Sequence, residues 1–259
     1  MRTRDFAIIL GLVAATLQSC STISSLTPSP YYLQAPSAPL LQTKGNLNLS
    51  GSWSFGGGTF DAAYALTNHI GLVSEASLAI LTPADFHGTQ WSGELGVGVF
   101  DTAIKSKLVY EAFAAAGWGT GRYDEQEVSS FDLPLINRTI ETGNEKISFL
   151  RAWTQVDAGY LGKYASMIFL ARLTYVNVYS DNEYRDHINV EAPDGQPHYF
   201  EIIHRTARIL IATPGFEARF GVDPVHFKAM IVLVIGVSGV ARNEPRDPLL
   251  PAIGITWRF

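Results

Sequence analysis

Hydrophobic and polar residues alternate with a period of two along most of the chain from residue 46 onward, and the alternation divides into ten runs. In the first, 46–55, Leu47, Leu49, Trp53 and Phe55 share one face, while Asn46, Asn48, Ser50, Ser52 and Ser54 share the other. Successive side chains of a β-strand point to opposite sides, so each run is a predicted strand with one apolar face and one small or polar face. The other nine are 60–66, 70–80, 92–100, 108–118, 147–160, 165–179, 215–222, 225–238 and 249–259. Connections after the second, fourth, sixth and eighth runs are short, and most of those after the odd runs are long. The two longest are 119–145 and 180–213, the latter containing 198–211, which suits either a strand extension or a short helix. About ten strands are expected; eight or twelve fit the same pattern with shifted boundaries.

The last run sharpens this picture. Leu249, Pro251, Ile253, Ile255, Trp257 and Phe259 form its large apolar face, opposite Ala252, Gly254, Thr256 and Arg258. About ten residues is the length at which a tilted strand crosses a bilayer. With Trp257 and a terminal Phe259, the run resembles the closing strand of Gram-negative outer-membrane β-barrels. That resemblance implies an all-β, antiparallel up-and-down transmembrane barrel over 46–259, with Trp257 and Phe259 as its assembly signal. It also implies an aromatic girdle, and handling by the barrel-assembly machinery. Short periplasmic turns and longer outer loops are the expected asymmetry of such barrels. A soluble lipocalin-like barrel is the alternative, with apolar residues inside instead of outside.

Residues 1–45 do not alternate. Arg2 and Arg4 precede an apolar run, 6–17, too short to span a membrane as a helix, which reads as an export signal over 1–19. Leu17-Gln18-Ser19-Cys20 resembles the lipobox of bacterial lipoproteins, which implies lipidation of Cys20, palmitate among the acyl chains, and sorting by the lipoprotein machinery. Cys20 is the only cysteine, so no disulfide competes for it. Residues 20–45, with prolines at 28, 30, 36 and 39, read as a lipidated N-terminus and a periplasmic linker. Both termini are then expected in the periplasm.

Charge decides what the inward face holds. Charged residues make up 17% of the chain, against about 25% in ordinary soluble domains. Read by strand parity, the inward acids are Asp61, Glu75, Glu94, Glu111, Asp157 and Glu217, and the inward cations Arg151, Arg172, Arg219, Lys228 and Arg258, with His226 a further candidate. A barrel of about ten strands has a narrow lumen. Unpaired buried charge is costly, so these groups are expected to pair across it and fill it. Met230, Val232 and Val234 share that face as an apolar patch suited to packing. A small polar transport pore is the alternative use of the same charges.

Chemistry is sparse. There is no phosphate loop, dinucleotide motif, HExxH or GxSxG, and no basic cluster for nucleic acid. No cofactor, metal ligand or catalytic residue is assigned. His69 falls in a short turn and His87 in a long loop. Ser180, Asp181, Asp186, His187, His198 and His204 gather in the 180–213 insertion, a composition that would suit a hydrolase acting at the barrel rim. The leading expectation is a lipid-anchored barrel with a charge-filled lumen. It would have a structural or interaction role and meet a protein or glycan partner through the outer loops.

Overall fold

A computed structural model of the 259-residue chain describes residues 34–54, 57–81, 86–103, 107–125, 138–141, 144–188, 200–238 and 249–259. These hold twelve β-segments. In chain order they are β1 Leu47–Ser54, β2 Gly57–Ala65, β3 Ile70–Leu81, β4 Phe86–Ala103, β5 Leu108–Glu125 and β6 Arg138–Glu141. Then come β7 Asn144–Leu161, β8 Ala165–Ile188, β9 Phe200–Val222, β10 Val225–Leu233, β11 Ile235–Ser238 and β12 Leu249–Arg258. Each strand pairs antiparallel with its neighbour in the ring β1-β2-β3-β4-β5-β7-β8-β9-β10-β12, and β12 pairs back onto β1. Two segments lie outside the count: β11 continues β10 past Val234, and β6 pairs with the far end of β8. Ten strands remain, closed into an up-and-down barrel.

The closure occurs where the alternation placed it. Asn48 faces Arg258 and Trp53 faces Ile253 across the β1–β12 seam. Beyond the seam the backbones of Leu47 and Phe259 exchange hydrogen bonds of 3.0 and 2.8 Å, and the Asn46 amide donates to the Phe259 carbonyl at 2.8 Å. The turns 66–69, 162–164 and 223–224 share this end of the barrel with Ala103 and Lys107, and it is called the short-turn end below.

The strands differ from expectation in length. β4, β5 and β7 have 18 residues each, β8 has 24 and β9 has 23. Much of the expected loops 81–91, 119–145 and 180–213 is therefore paired strand, and 200–211 belongs to β9 rather than to a helix. Alternation marks a strand only where its faces meet different surroundings. Past the apolar band that contrast fades, and backbone ladder bonds carry the hairpins onward.

Outward residues form a continuous apolar belt, with Leu95 74%, Phe169 66% and Phe227 65% exposed. Tyr64, Tyr110, Tyr160 and Trp257 ring it near the short turns, and Trp53, Trp91, Trp118 and Tyr175 ring it on the other side. Trp91 and Trp118 meet edge to face at 4.6 Å. Tyr110 and Trp118 lie eight residues apart on β5. That is about 26 Å along the strand, or about 20 Å of height at the usual tilt near 40°. The spacing is close to the hydrocarbon thickness that barrel girdles bracket, about 25 Å.

Candidate functional site

The inward face is filled, and its largest single occupant is the chain itself. Residues 34–41, Gln-Ala-Pro-Ser-Ala-Pro-Leu-Leu, run inside the lumen, where Ala35, Ala38, Leu40 and Leu41 are at most 2% exposed. The stretch expected as the end of a periplasmic linker is thus an internal plug, and only 42–46 connects it to β1. Its composition suits the position. Pro36 and Pro39 have no N–H to satisfy, and the segment carries no charge.

Its side chains close the lumen in steps. Leu41 packs with Ala65, Val73, Phe100, Phe113 and Trp153. Ala38 and Leu40 meet Val109 and Ile168, and Ala35 meets Leu170, Met230, Val232 and Ala252. The apolar patch foreseen at Met230 and Val232 is therefore the seat of Ala35, while Val234 packs against a separate cluster of Ile147, Phe149, Val176 and Ile211. Gly71 and Gly159 leave the room that the two leucines take. A Cβ on Gly71 would run into Leu41 Cδ1, and one on Gly159 would sit 3.1 Å from Leu40 Cδ2.

The backbone of the segment is held by the inward polar residues. Glu111 accepts both Leu40 N–H, at 2.8 Å, and Leu41 N–H, at 2.6 Å. Leu40 has a φ of 56°, a left-handed conformation that bulky residues seldom adopt. Consecutive N–H groups around such a residue make a concave anion site, and the Glu111 carboxylate fills it. Ala38 donates to Glu217 at 3.4 Å and its carbonyl accepts from Arg219. Gln155 donates to the Ser37 carbonyl at 2.9 Å, Lys228 to the Ser37 hydroxyl at 2.9 Å, and Asn48 to the Pro39 carbonyl.

Most of the expected charges come together here. Arg151 bridges Glu75, at 3.0 Å, and Glu94, and also donates to Gln34 Oε1 at 2.7 Å. Arg172 donates to Glu75 at 2.8 Å and to Gln155 at 2.6 Å, and its guanidinium lies 4.0 Å from the centre of the Trp153 ring. Trp153 in turn donates to Glu94. Arg219 pairs with Glu217 at 2.5 Å, and Lys228 stands 3.8 Å from Asp61. Pairs between early acids and late cations thus account for Asp61, Glu75, Glu94, Arg151, Arg172 and Lys228.

Five residues depart from that pairing: Glu217 and Arg219, both on β9, pair with each other, and three more differ in other ways. Glu111 meets backbone rather than a cation, and Asp157 accepts from Gln155 at 2.9 and 3.0 Å. Arg258 points inward half-buried, with no ion pair among the described residues. Gln34, Ser37, Asn48 and Trp153 are the contributors that reading charges alone passes over, though Trp153 shares the parity of Arg151 and Gln155. His69 is an exposed turn residue. Residues 1–33, with Cys20, and residues 189–199, with His198, lie outside the described residues. Asp181 and His204 are register partners on β8 and β9 and Asp186 and His187 lie further along β8, but the side chains there are not described.

Exchanging Glu111 for Gln tests the plug seat. The amide keeps one acceptor and turns its other end, an N–H donor, toward a buried N–H. A loss of about 1–3 kcal/mol in unfolding free energy is expected. No measurable loss would mean that Glu111 does not hold the segment.

No family model matches the sequence, and no curated protein matches it. Solved structures with a related trace include three barrels. The N-terminal β-barrel domain of Pseudomonas aeruginosa OprF has 11% identity and a TM-score of 0.33, over 84% of this chain and all of that one. The translocator domain of the autotransporter NalP from Neisseria meningitidis has 9% identity and a TM-score of 0.44, over 83% of this chain and 87% of that one. The KdgM porin, solved with disordered oligogalacturonate, has 12% identity and a TM-score of 0.32, over 83% and 99%. At these values the likeness assigns no role to this chain.

Proposed function

We propose that this protein is a bacterial outer-membrane β-barrel, anchored by lipid at Cys20 and closed by its own segment 34–41. Its role is structural or interactive, through the outer connections 119–145 and 180–213. The observation that carries this is the reversal of faces: apolar belt outside, charges and a threaded peptide inside. A soluble barrel would leave that belt in water. Exposed apolar patches on soluble monomers rarely exceed a few hundred Å². The short-turn end, with Lys44 and Phe259, faces the periplasm, as short turns do in such barrels.

A small transport pore is the second reading, and one observation favours it. Glu75, Glu94 and Glu111 stand on β3–β5, while Arg172, Arg219 and Lys228 stand on β8–β10. Without the plug, these opposed walls would border a polar passage.

The membrane reading is tested by extraction and by one substitution. The folded protein is expected to need detergent for extraction and to change electrophoretic mobility on heating. Leu95→Arg, in the middle of the belt, is expected to cost about 2–4 kcal/mol in lipid. A protein that stays in buffer without detergent, and tolerates arginine at Leu95, would rule the reading out.

A further inference from the structure

We propose that the chain passes through its own barrel, so that residues before Gln34 leave by the end opposite the short turns. On the orientation given above, Cys20 then lies on the cell-surface side, and acyl chains on it enter the outer leaflet. This rests on the membrane reading and replaces the simpler expectation that both termini share the periplasm.

The direction of the segment carries the inference. Leu41 and Leu40 sit at the short-turn end, against Ala65, the last residue of β2, and Val109, the second residue of β5. Gln34 sits at the other end of the segment, donating to Ser77 and, at 3.5 Å, to Ser92. Ser77 lies only two residues short of Ala79, whose partner Gly57 is the first residue of β2. Ala35 packs against Ala252, whose partner Ser54 is the last residue of β1. The leading end of the segment has therefore climbed to the rim of the β12–β1–β2 wall.

A return down the lumen would have to pass side chains already packed between plug and wall: Leu41 against Phe100, Phe113 and Trp153, and Leu40 against Val109 and Ile168. The cavity beside Ser37–Pro39, bordered by Asp61, Glu75 and Phe113, adds about 30 Å³. The fourteen residues 20–33 reach at most about 46 Å when extended, enough to regain the membrane surface from the rim.

Two single substitutions in the full-length protein test this, each treated in cells with a membrane-impermeant maleimide before and after outer-membrane permeabilisation. Ser25→Cys reports the chain before the plug, and Lys44→Cys the chain after it. Wild type measures any free thiol at Cys20, and the heat-dependent mobility shift certifies the barrel. The expected result is that S25C labels fully in intact cells, while K44C gains at least tenfold on permeabilisation. Both positions labelling from the same side would overturn the proposal. K44C outside with S25C inside would uphold the threading and overturn the orientation assigned to the barrel. If either variant loses the mobility shift, Thr27→Cys and Thr43→Cys replace the pair with the same outcomes.

Discussion

Arg151→Ala is expected to destabilise the barrel by about 3–5 kcal/mol, the largest single loss among these residues. Arg151 is 3% exposed and bridges Glu75 and Glu94 while donating to Gln34 of the plug. Truncation leaves two carboxylates in a dry lumen with one cation fewer between them. Glu75 keeps Arg172 at 2.8 Å and Glu94 keeps the Trp153 indole, so neither is stripped of every partner. A buried charge that loses its counter-charge costs more than the pair ever contributes, because the desolvation remains. Arg151→Lys should recover part of the loss, since an ammonium keeps the charge but cannot present the planar fork. Denaturant unfolding of refolded protein in lipid measures both. A change below about 1 kcal/mol for Arg151→Ala would mean that the lumen is wet enough to solvate Glu75 and Glu94.

Leu41→Ala is expected to cost about 2–5 kcal/mol, and to do so by loosening the plug rather than the wall. Leu41 is fully buried between Ala65, Phe100, Phe113 and Trp153. Removing its isobutyl group leaves a cavity whose walls are hydrogen-bonded strands, which cannot collapse to fill it. Its N–H remains bonded to Glu111. The loss should therefore appear as faster hydrogen exchange along 34–41, with the ladders of β3 to β5 little changed. Equal loss of protection in plug and wall would show that the segment is an integral part of the barrel fold, not a separable occupant.

How legible this was depends on distance along the chain. The ten strands and the seam at Asn46 and Phe259 could be read because the contrast between faces recurs every second residue and needs no partner. Parity alone put Glu75, Glu94, Arg151 and Arg172 inside, and narrowness of the lumen then required pairing. The ends of β4, β5 and β8 escaped because their outlying rungs alternate little between apolar and polar, and the first part of β9 because Ile209, Leu210 and Ile211 are apolar on both faces. The plug escaped for a different reason. It has no period, its two prolines look like a linker, and its contacts are remote: Arg219 meets Ala38 across 181 positions. One signal was present. From Phe6 to Thr43 the chain carries no charge, and 35–41 holds four apolar side chains where a solvated tether would favour charged and polar ones. Parity put Glu111 inside, but charge counting cannot see that it meets the backbone N–H groups of Leu40 and Leu41.

Single-channel recording in planar bilayers tests the central claim most directly, comparing full-length protein with a variant lacking residues 34–41 that retains the heat-dependent mobility shift. Full-length protein is expected to insert without stepwise conductance, and the variant to conduct in steps through the lumen walled by Arg151, Arg172, Lys228, Glu75 and Glu111. Steps of the same size from both proteins would contradict a barrel closed by its own chain.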